Sequence, residues 1–161
     1  MKKINRFNKK ERLLIEDFIH SIDNTLKVKV SKNKMFECDI PKKTIYIGIK
    51  NVDKRENELF IEWLKTLPEY QENINRRILS ILHEIGHFKT YNEQEFQERQ
   101  NVFSMLTFMY EQDVIDYKEY GLAYWNMTNE KKATLWGLNF YKTHKKECNN
   151  LVKLLGLAKF N

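Results

Sequence analysis

The sequence of 161 residues predicts one α+β domain, residues 1–161, in which a helix and a small sheet precede a group of helices. Three observations predict this class. A short stretch rich in β-branched and aromatic residues lies between amphipathic helical patterns, so strands and helices are segregated rather than alternating. Only five glycines and two prolines occur, and no linker, repeat or low-complexity block divides the chain. A hydrophobic content of 42% is enough for one core.

The N-terminal third is expected to hold one helix and two or three strands. The helix covers roughly Lys9 to Asn24, and acidic residues interrupt its apolar ones, which indicates an amphipathic helix rather than a leader segment. The strands are expected in the stretches LKVKV, MFECDI and KTIYIGI, which polar turns separate. The last stretch is predicted to place Ile45 and Ile47 on one buried face.

Two helices are predicted next. A short one in NELFIEWLKTL ends before Pro68, and a long one begins near Glu69 or Ile74 and ends near Thr90. Asn92, with Glu95 three residues later, predicts a capping box at the start of the following helix.

The remaining helices follow from the same patterns. The helix after Asn92 is expected to contain FQERQNVFSMLTFMYEQDVIDY, with a break around Gly121. Thr128 is the expected cap of a further helix through EKKATLWGLNFYKTHKKE, and a short tail helix is expected to end near Leu155.

The formal net charge of +6 raises nucleic acid as a partner, but the basic residues are scattered among acids along the chain. Because no basic stripe with interleaved aromatics occurs, we expect a solvated, lysine-rich surface and no specific nucleic-acid binding. No run of eighteen apolar residues occurs, so no membrane partner is expected. The protein is predicted to be cytoplasmic.

The two cysteines, Cys38 and Cys148, are too few and too far apart in sequence for a disulfide framework. Cys38 alternates in phase with Phe36 and Ile40, which indicates a small core residue. His144 and Cys148 lie four residues apart on a predicted helix, a spacing that suits a shared metal but is weak as an isolated pair.

The segment ILSILHEIGHFKT, residues 78–90, contains His83 and His87 one helical turn apart. At about 100° per residue the two imidazoles lie about 40° apart and share one face. The isoleucines of this helix cluster with Phe88 on the opposite face, which is the face that packs into a core. Because the histidines lie off that face, the HExxH pattern favours a metal site over core or surface histidines.

The chemistry of this turn suits one Zn²⁺ ion per chain. Two neutral imidazoles one turn apart can bind the same ion, and Glu84 is rotated out of line with them. Glu84 is therefore predicted to be the general base that takes a proton from water and passes it to a leaving amine. Two histidines make a weak site, so a third ligand is required.

The third ligand is predicted to be a carboxylate, because His20 and His144 are poorly placed. Glu130 is the leading candidate, since it shares a helix face with Ala133 and Gly137 in NEKKATLWG. Small residues on that face allow a close approach to the HEIGH helix, and Thr134, one turn on, could hydrogen-bond a ligand side chain. The other candidate carboxylates lie on the next helix and just beyond it: Glu93, Glu95, Glu98, Glu111, Asp113, Asp116 and Glu119.

HEIGH, followed a helix later by NEKKATLWGLNFY, resembles the compact zincins of the gluzincin type. The chain is similar to the ImmA/IrrE-like metallopeptidases and to the small HEIGH proteins of phages and mobile elements. The resemblance implies a zincin-like fold, a zinc peptidase activity and a third zinc ligand from a Glu-x-x-Ala-(Asn/Asp/Thr) helix, here Glu130. It also implies a protein substrate, often a repressor in a phage or mobile-element switch. The spacing from His87 to Glu130 is longer than in the ImmA/IrrE pattern.

Two functions of different classes are therefore predicted. The first is a zinc-dependent endopeptidase that cleaves a protein or peptide, with TIYIGI as a candidate edge strand for the substrate. The second is a catalytically silent zinc-binding module for protein–protein interaction, for which Glu84 would have no use. Tyrosines that could stabilise a transition state are candidates by residue type alone: Tyr91, Tyr117, Tyr120 and Tyr124.

Overall fold

The computed structural model describes residues 6–32, 35–50, 54–71 and 73–157. Within these ranges the chain forms seven helices and a three-stranded sheet, which confirms the α+β class. The elements in chain order are α1 (Lys9–Ile22), β1 (Lys27–Val30), β2 (Glu37–Asp39), β3 (Thr44–Ile47), α2 (Lys54–Leu64), α3 (Arg76–Lys89), α4 (Glu93–Glu111), α5 (Tyr117–Trp125), α6 (Thr128–Thr143) and α7 (Lys145–Leu154).

The sheet has the strand order β1-β3-β2, so β3 is its central strand. β3 runs parallel to β1 and antiparallel to β2. The prediction that TIYIGI forms an edge strand is therefore wrong, because both sides of β3 are paired. Its predicted core role is confirmed, since Ile45 and Ile47 are buried. The two edge strands of the described sheet are β1 and β2.

Local sequence explains where α1 and α3 begin. Asn8 caps α1 by accepting a hydrogen bond from the backbone N–H of Glu11, and the Glu11 carboxylate accepts from the N–H of Asn8. Asn75 caps α3 by accepting from the backbone N–H groups of Arg77 and Ile78. Asn92 caps α4 by accepting from the N–H of Glu95, but the predicted capping box is only half formed, because the Glu95 carboxylate pairs with Lys132 instead of the N–H of Asn92.

The predicted helix ends between residues 93 and 147 need three corrections. The chain breaks between Glu111 and Tyr117 rather than at Gly121, because Asp116 caps a new helix through a capping box with Glu119. Gly121 lies inside α5, where it contacts α2. Thr128 is the first residue of α6 rather than its cap, which is Met127. The helix through EKKATLWGLNFYKTHKKE is divided at His144 into α6 and α7.

The main core combines buried side chains of α1, the sheet, α2, α3, α6 and α7, and within it α3 packs on the sheet and most extensively on α6. Ile78, Ile81 and Ile85 are fully buried, as the helical pattern predicts, and so are the neighbouring leucines Leu79 and Leu82. α3 is therefore buried over more of its circumference than one apolar face requires. Among the described residues, no helix has both the length and the apolar character needed to cross a bilayer.

α3 and α6 are in close contact through two glycines. A Cβ atom on Gly86 would lie 2.9 Å from the Cα of Ala133 and closer still to its carbonyl oxygen. A Cβ on Gly137 would lie 3.2 Å from the Cβ of Leu82. The small face predicted for α6 thus packs directly on the HEIGH helix, and the glycine of HEIGH is the residue that allows the contact.

We predict that Gly86→Ala lowers the free energy of unfolding by at least about 2 kcal/mol, because the added methyl group must displace the α6 backbone. Gly121→Ala is the matched control, since its Cβ would meet only ordinary contacts starting at 3.4 Å. Chemical denaturation of both variants measures the difference. Equal stability of the two variants would contradict the close packing of α3 on α6.

Candidate metal centre

His83 and His87 project from α3 toward Glu130 on α6. The Nε2 atom of His83 lies 3.1 Å from the Nε2 atom of His87 and 3.1 Å from Oε2 of Glu130. The Nε2 atom of His87 lies 3.5 Å from the same carboxylate oxygen. These three side chains form a group that could hold a metal ion.

The spacing of the three atoms fits one ion. Ligand atoms about 2.0–2.1 Å from a tetrahedral Zn²⁺ lie about 3.3 Å from one another. The separations of 3.1, 3.1 and 3.5 Å bracket that value. Two imidazole nitrogens and one carboxylate oxygen are also the donor types of a zinc site that keeps an open fourth position.

Thr134 determines which nitrogen of His83 faces the cluster. Its hydroxyl group donates to the backbone carbonyl of Glu130 at 3.0 Å, so the oxygen is left to accept from Nδ1 of His83 at 2.9 Å. A neutral His83 would therefore keep its proton on Nδ1 and offer the lone pair of Nε2 to an ion. A hydrogen bond of this kind orients a metal-binding histidine.

Arg99 on α4 holds the other oxygen of the Glu130 carboxylate. Its Nε–H group donates to Oε1 at 2.9 Å, and the side-chain amide of Asn129 donates to the same oxygen at 3.3 Å. Oε2 is thereby left to face the histidines. The sequence offered no local signal for Arg99, which is separated from Glu130 by 31 positions.

Hydrogen bonds and charge interactions within the cluster shift the pKa values of Glu130 and His83 toward their charged forms. Burial opposes the ionisation of Glu130, but hydrogen bonds and charge interactions with His83 and His87 hold the pKa of its carboxyl well below the usual range. Burial also opposes the charging of His83, yet Glu130 and Glu84 raise the pKa of this imidazole. A site that favours a proton between imidazole and carboxylate also favours a metal cation there.

Glu84 lies on the cleft side of α3 and is 8% exposed. Its carboxylate, the thiol of Cys38 and a ring nitrogen of His87 have potential ligand atoms within 4.8 Å of one another. Cys38 is half-buried in the wall of the cleft, so its prediction as a core residue is wrong. Alternation along β2 predicts which residues share a face with Cys38. It does not show whether that face lies against the core or against the cleft. Burial and the charge of Glu84 raise the pKa of the Cys38 thiol.

The cluster lies in a cleft of about 650 Å³. One wall is formed by residues 35–41, which include β2, and the other by α3 with parts of α4 and α5. Phe96, Arg99 and Tyr124 line this second wall. The side chains of His83, Glu84 and His87 also line the cleft.

The alternative third ligands on α4 lie elsewhere. Glu95 pairs with Lys132, and Glu98 accepts a hydrogen bond from Gln94. The remaining acids of the list are exposed to solvent: Glu93, Glu111, Asp113, Asp116 and Glu119. Glu130, at 1% exposure, is the carboxylate that the structure brings to both histidines.

The other predicted sites are not assembled. The Nε2 atom of His20 lies 2.9 Å from the carbonyl oxygen of Leu26. His144 is exposed and stacks on Phe140, whereas Cys148 is fully buried. Neither Cys148 nor Cys38 forms a disulfide, as expected.

Of the four candidate tyrosines, Tyr124 is the one beside the cluster. Its hydroxyl group lies 3.4 Å from a guanidinium nitrogen of Arg99. Burial and the charge of Glu130 raise the pKa of Tyr124, so the phenol stays protonated and can donate. Tyr91 is exposed at the cleft entrance, Tyr117 lies under Arg55, and Tyr120 contacts Tyr110.

Comparison with protein-family models, curated proteins and solved structures gave no significant match.

We predict that Glu130→Ala lowers zinc affinity by more than about 100-fold, because loss of a ligand costs more than loss of a group that orients one. Competition with a chromophoric chelator measures the affinity, and circular dichroism checks the fold. Glu95→Ala is the control, since Glu95 pairs with Lys132 outside the cluster. Zinc binding by Glu130→Ala equal to that of the control would remove Glu130 from the site.

Arg99→Ala is expected to weaken zinc binding by about 10–100-fold, because the Glu130 carboxylate then loses the group that orients it. Arg99 contacts both Glu130 and the hydroxyl group of Tyr124. Tyr124→Phe removes only the second contact and should leave zinc affinity unchanged. The same chelator competition serves both variants. If Tyr124→Phe weakens zinc binding as much as Arg99→Ala does, orientation of Glu130 by Arg99 is the wrong explanation.

Proposed function

We propose that the protein is a zinc-dependent endopeptidase of the zincin type. The observation that carries the proposal is the convergence of His83, His87 and Glu130 on one point of a cleft that Glu84 also lines. The HExxH pattern and the resemblance to ImmA/IrrE-like metallopeptidases support the same class. His83, His87 and Glu130 would hold the ion, and Glu84 would serve as the general base.

Zn²⁺, when bound, supplies a Lewis acid that polarises a peptide carbonyl and activates water. Glu84 follows the first ligand directly in sequence, so its carboxylate lies beside the cluster without belonging to it. The carboxylate accepts a proton from the attacking water and delivers it to the leaving amine nitrogen.

Arg99 and Tyr124 supply hydrogen-bond donors on the same wall of the cleft. A guanidinium N–H group and a neutral phenol O–H group both stabilise an oxygen that gains negative charge. We therefore assign to Tyr124 the role of binding the scissile carbonyl oxygen. Arg99 orients the Tyr124 hydroxyl group and holds Glu130 at the same time.

β2 is the strand along which a substrate would lie. It ends the sheet on the cleft side, and its residues form one wall of the cleft. An extended peptide can pair with the free side of such a strand and present its carbonyl groups to the cluster. This role replaces the one predicted for TIYIGI. An unfolded segment of a protein is the substrate that this geometry fits, and the family resemblance adds repressors as a substrate class.

We predict that Glu84→Gln keeps about one zinc per chain but slows peptide cleavage by at least about 100-fold, because the amide cannot accept the proton. The zinc-loaded proteins are incubated with a library of unstructured peptides, and mass spectrometry measures cleavage. Glu95→Gln, outside the cluster, is the control.

Cleavage by Glu84→Gln at the rate of the unmodified protein would exclude Glu84 as the base. Two results together would favour the silent interaction module instead. The zinc-loaded protein would cleave no peptide, and the Glu84→Gln variant would keep full biological activity.

A further inference from the structure

The outer face of α4 is apolar and exposed. Val102, Met105 and Phe108 follow one another at three-residue spacing and are 38%, 54% and 62% exposed. Val114, just beyond the helix, is 62% exposed. Single exposed apolar side chains are ordinary, but several adjacent ones indicate a surface that binds a partner. We call these four residues the α4 outer face.

The charge around this face is opposite to that of the rest of the molecule. Residues 93–116 contain six carboxylates and one arginine, a net charge of −5, whereas the whole chain has +6, so the remainder carries +11. The single arginine, Arg99, points inward to Glu130. Glu98, Glu111 and Asp113 flank the α4 outer face and are exposed. The face is thus apolar at its centre and acidic at its margins.

The length of the face sets the size of its occupant. Between Glu98 and Glu111 the helix rises about 20 Å, which matches a partner helix of about four turns. Apolar anchors at three- and four-residue spacing are what an amphipathic helix presents to a complementary surface. Acidic margins favour a partner helix with lysine and arginine beside its apolar face, and they disfavour an acidic one.

We propose that the α4 outer face is a docking surface for a basic amphipathic helix of a protein partner. The site differs from the metal centre and does not depend on the peptidase activity. The two are connected by α4, whose inner side supplies Phe96 and Arg99 to the cleft. A partner bound to the outer side of the same helix is held beside the cleft.

A labelled 18-residue helical peptide of leucine and lysine, with all leucines on one face, is the probe. We expect saturable binding to the intact protein by fluorescence anisotropy. Two comparison peptides should bind at least tenfold more weakly: one of the same composition with a scrambled, non-amphipathic order, and one with glutamate in place of lysine. Raising the salt from about 50 mM to about 500 mM should weaken binding severalfold, since exposed charges are screened.

Substitutions on the α4 outer face test whether the lysine peptide binds there. Met105→Ser with Phe108→Ser should weaken binding of the lysine peptide at least tenfold. Leu13→Ser with Leu154→Ser is the matched control, because these leucines are 51% and 54% exposed on other helices, and it should bind normally. Glu98→Gln with Glu111→Gln and Asp113→Asn keeps the apolar residues, and it should weaken binding and remove most of the salt dependence.

Three results would overturn the proposal. The first is no binding of the lysine peptide, and the second is equal binding of the glutamate peptide. The third is a dimer in light scattering that Met105→Ser with Phe108→Ser dissociates, since a second copy would then cover the face. Repeating the titration with Glu130→Ala separates this proposal from the peptidase function, because the peptide should bind with or without the metal centre.

Discussion

The contact between α3 and α6 is the constraint on which the rest of the structure depends. Gly86 lies between Glu84 and His87, and its lack of a side chain lets the backbone of Ala133 approach. The same approach places Glu130, one turn before Thr134, within reach of both histidines. The helix contact and the candidate metal centre are therefore one arrangement, because a bulkier residue at either glycine would move the carboxylate away from the imidazoles.

Burial of Glu130 imposes a second constraint. A carboxylate at 1% exposure is costly unless charged or hydrogen-bonding groups surround it. Here two imidazoles face one oxygen, while Arg99 and Asn129 donate to the other. Each oxygen thus has its own partners, and the division directs Oε2 to the two imidazoles. α4 and α5 are needed for this reason, since they bring Arg99 and Tyr124 to the centre.

α4 faces the protein on one side and exposes apolar residues to solvent on the other. Leu106 is its buried apolar residue, and the inner side otherwise serves the cleft. Its outer side has apolar residues within the most acidic part of a basic chain. α4 thus contributes little to the core, and it has one side on the cleft and the other side exposed to solvent. The cleft and the outer face would then be held in a constant relation by one rigid element.

The sequence by itself determined the α+β class, most of the helices and the shared face of His83 and His87, because these depend on local periodicity and capping. The helix face that Glu130 shares with the small residues Ala133 and Gly137 was also predictable, since it depends only on the spacing along one helix. Tertiary structure decided the rest. The central position of β3, the place of Cys38 in the cleft and the contact of Arg99 with Glu130 all join residues far apart in the chain. Such contacts depend on how elements pack against one another, and the pattern within a single element does not contain that information.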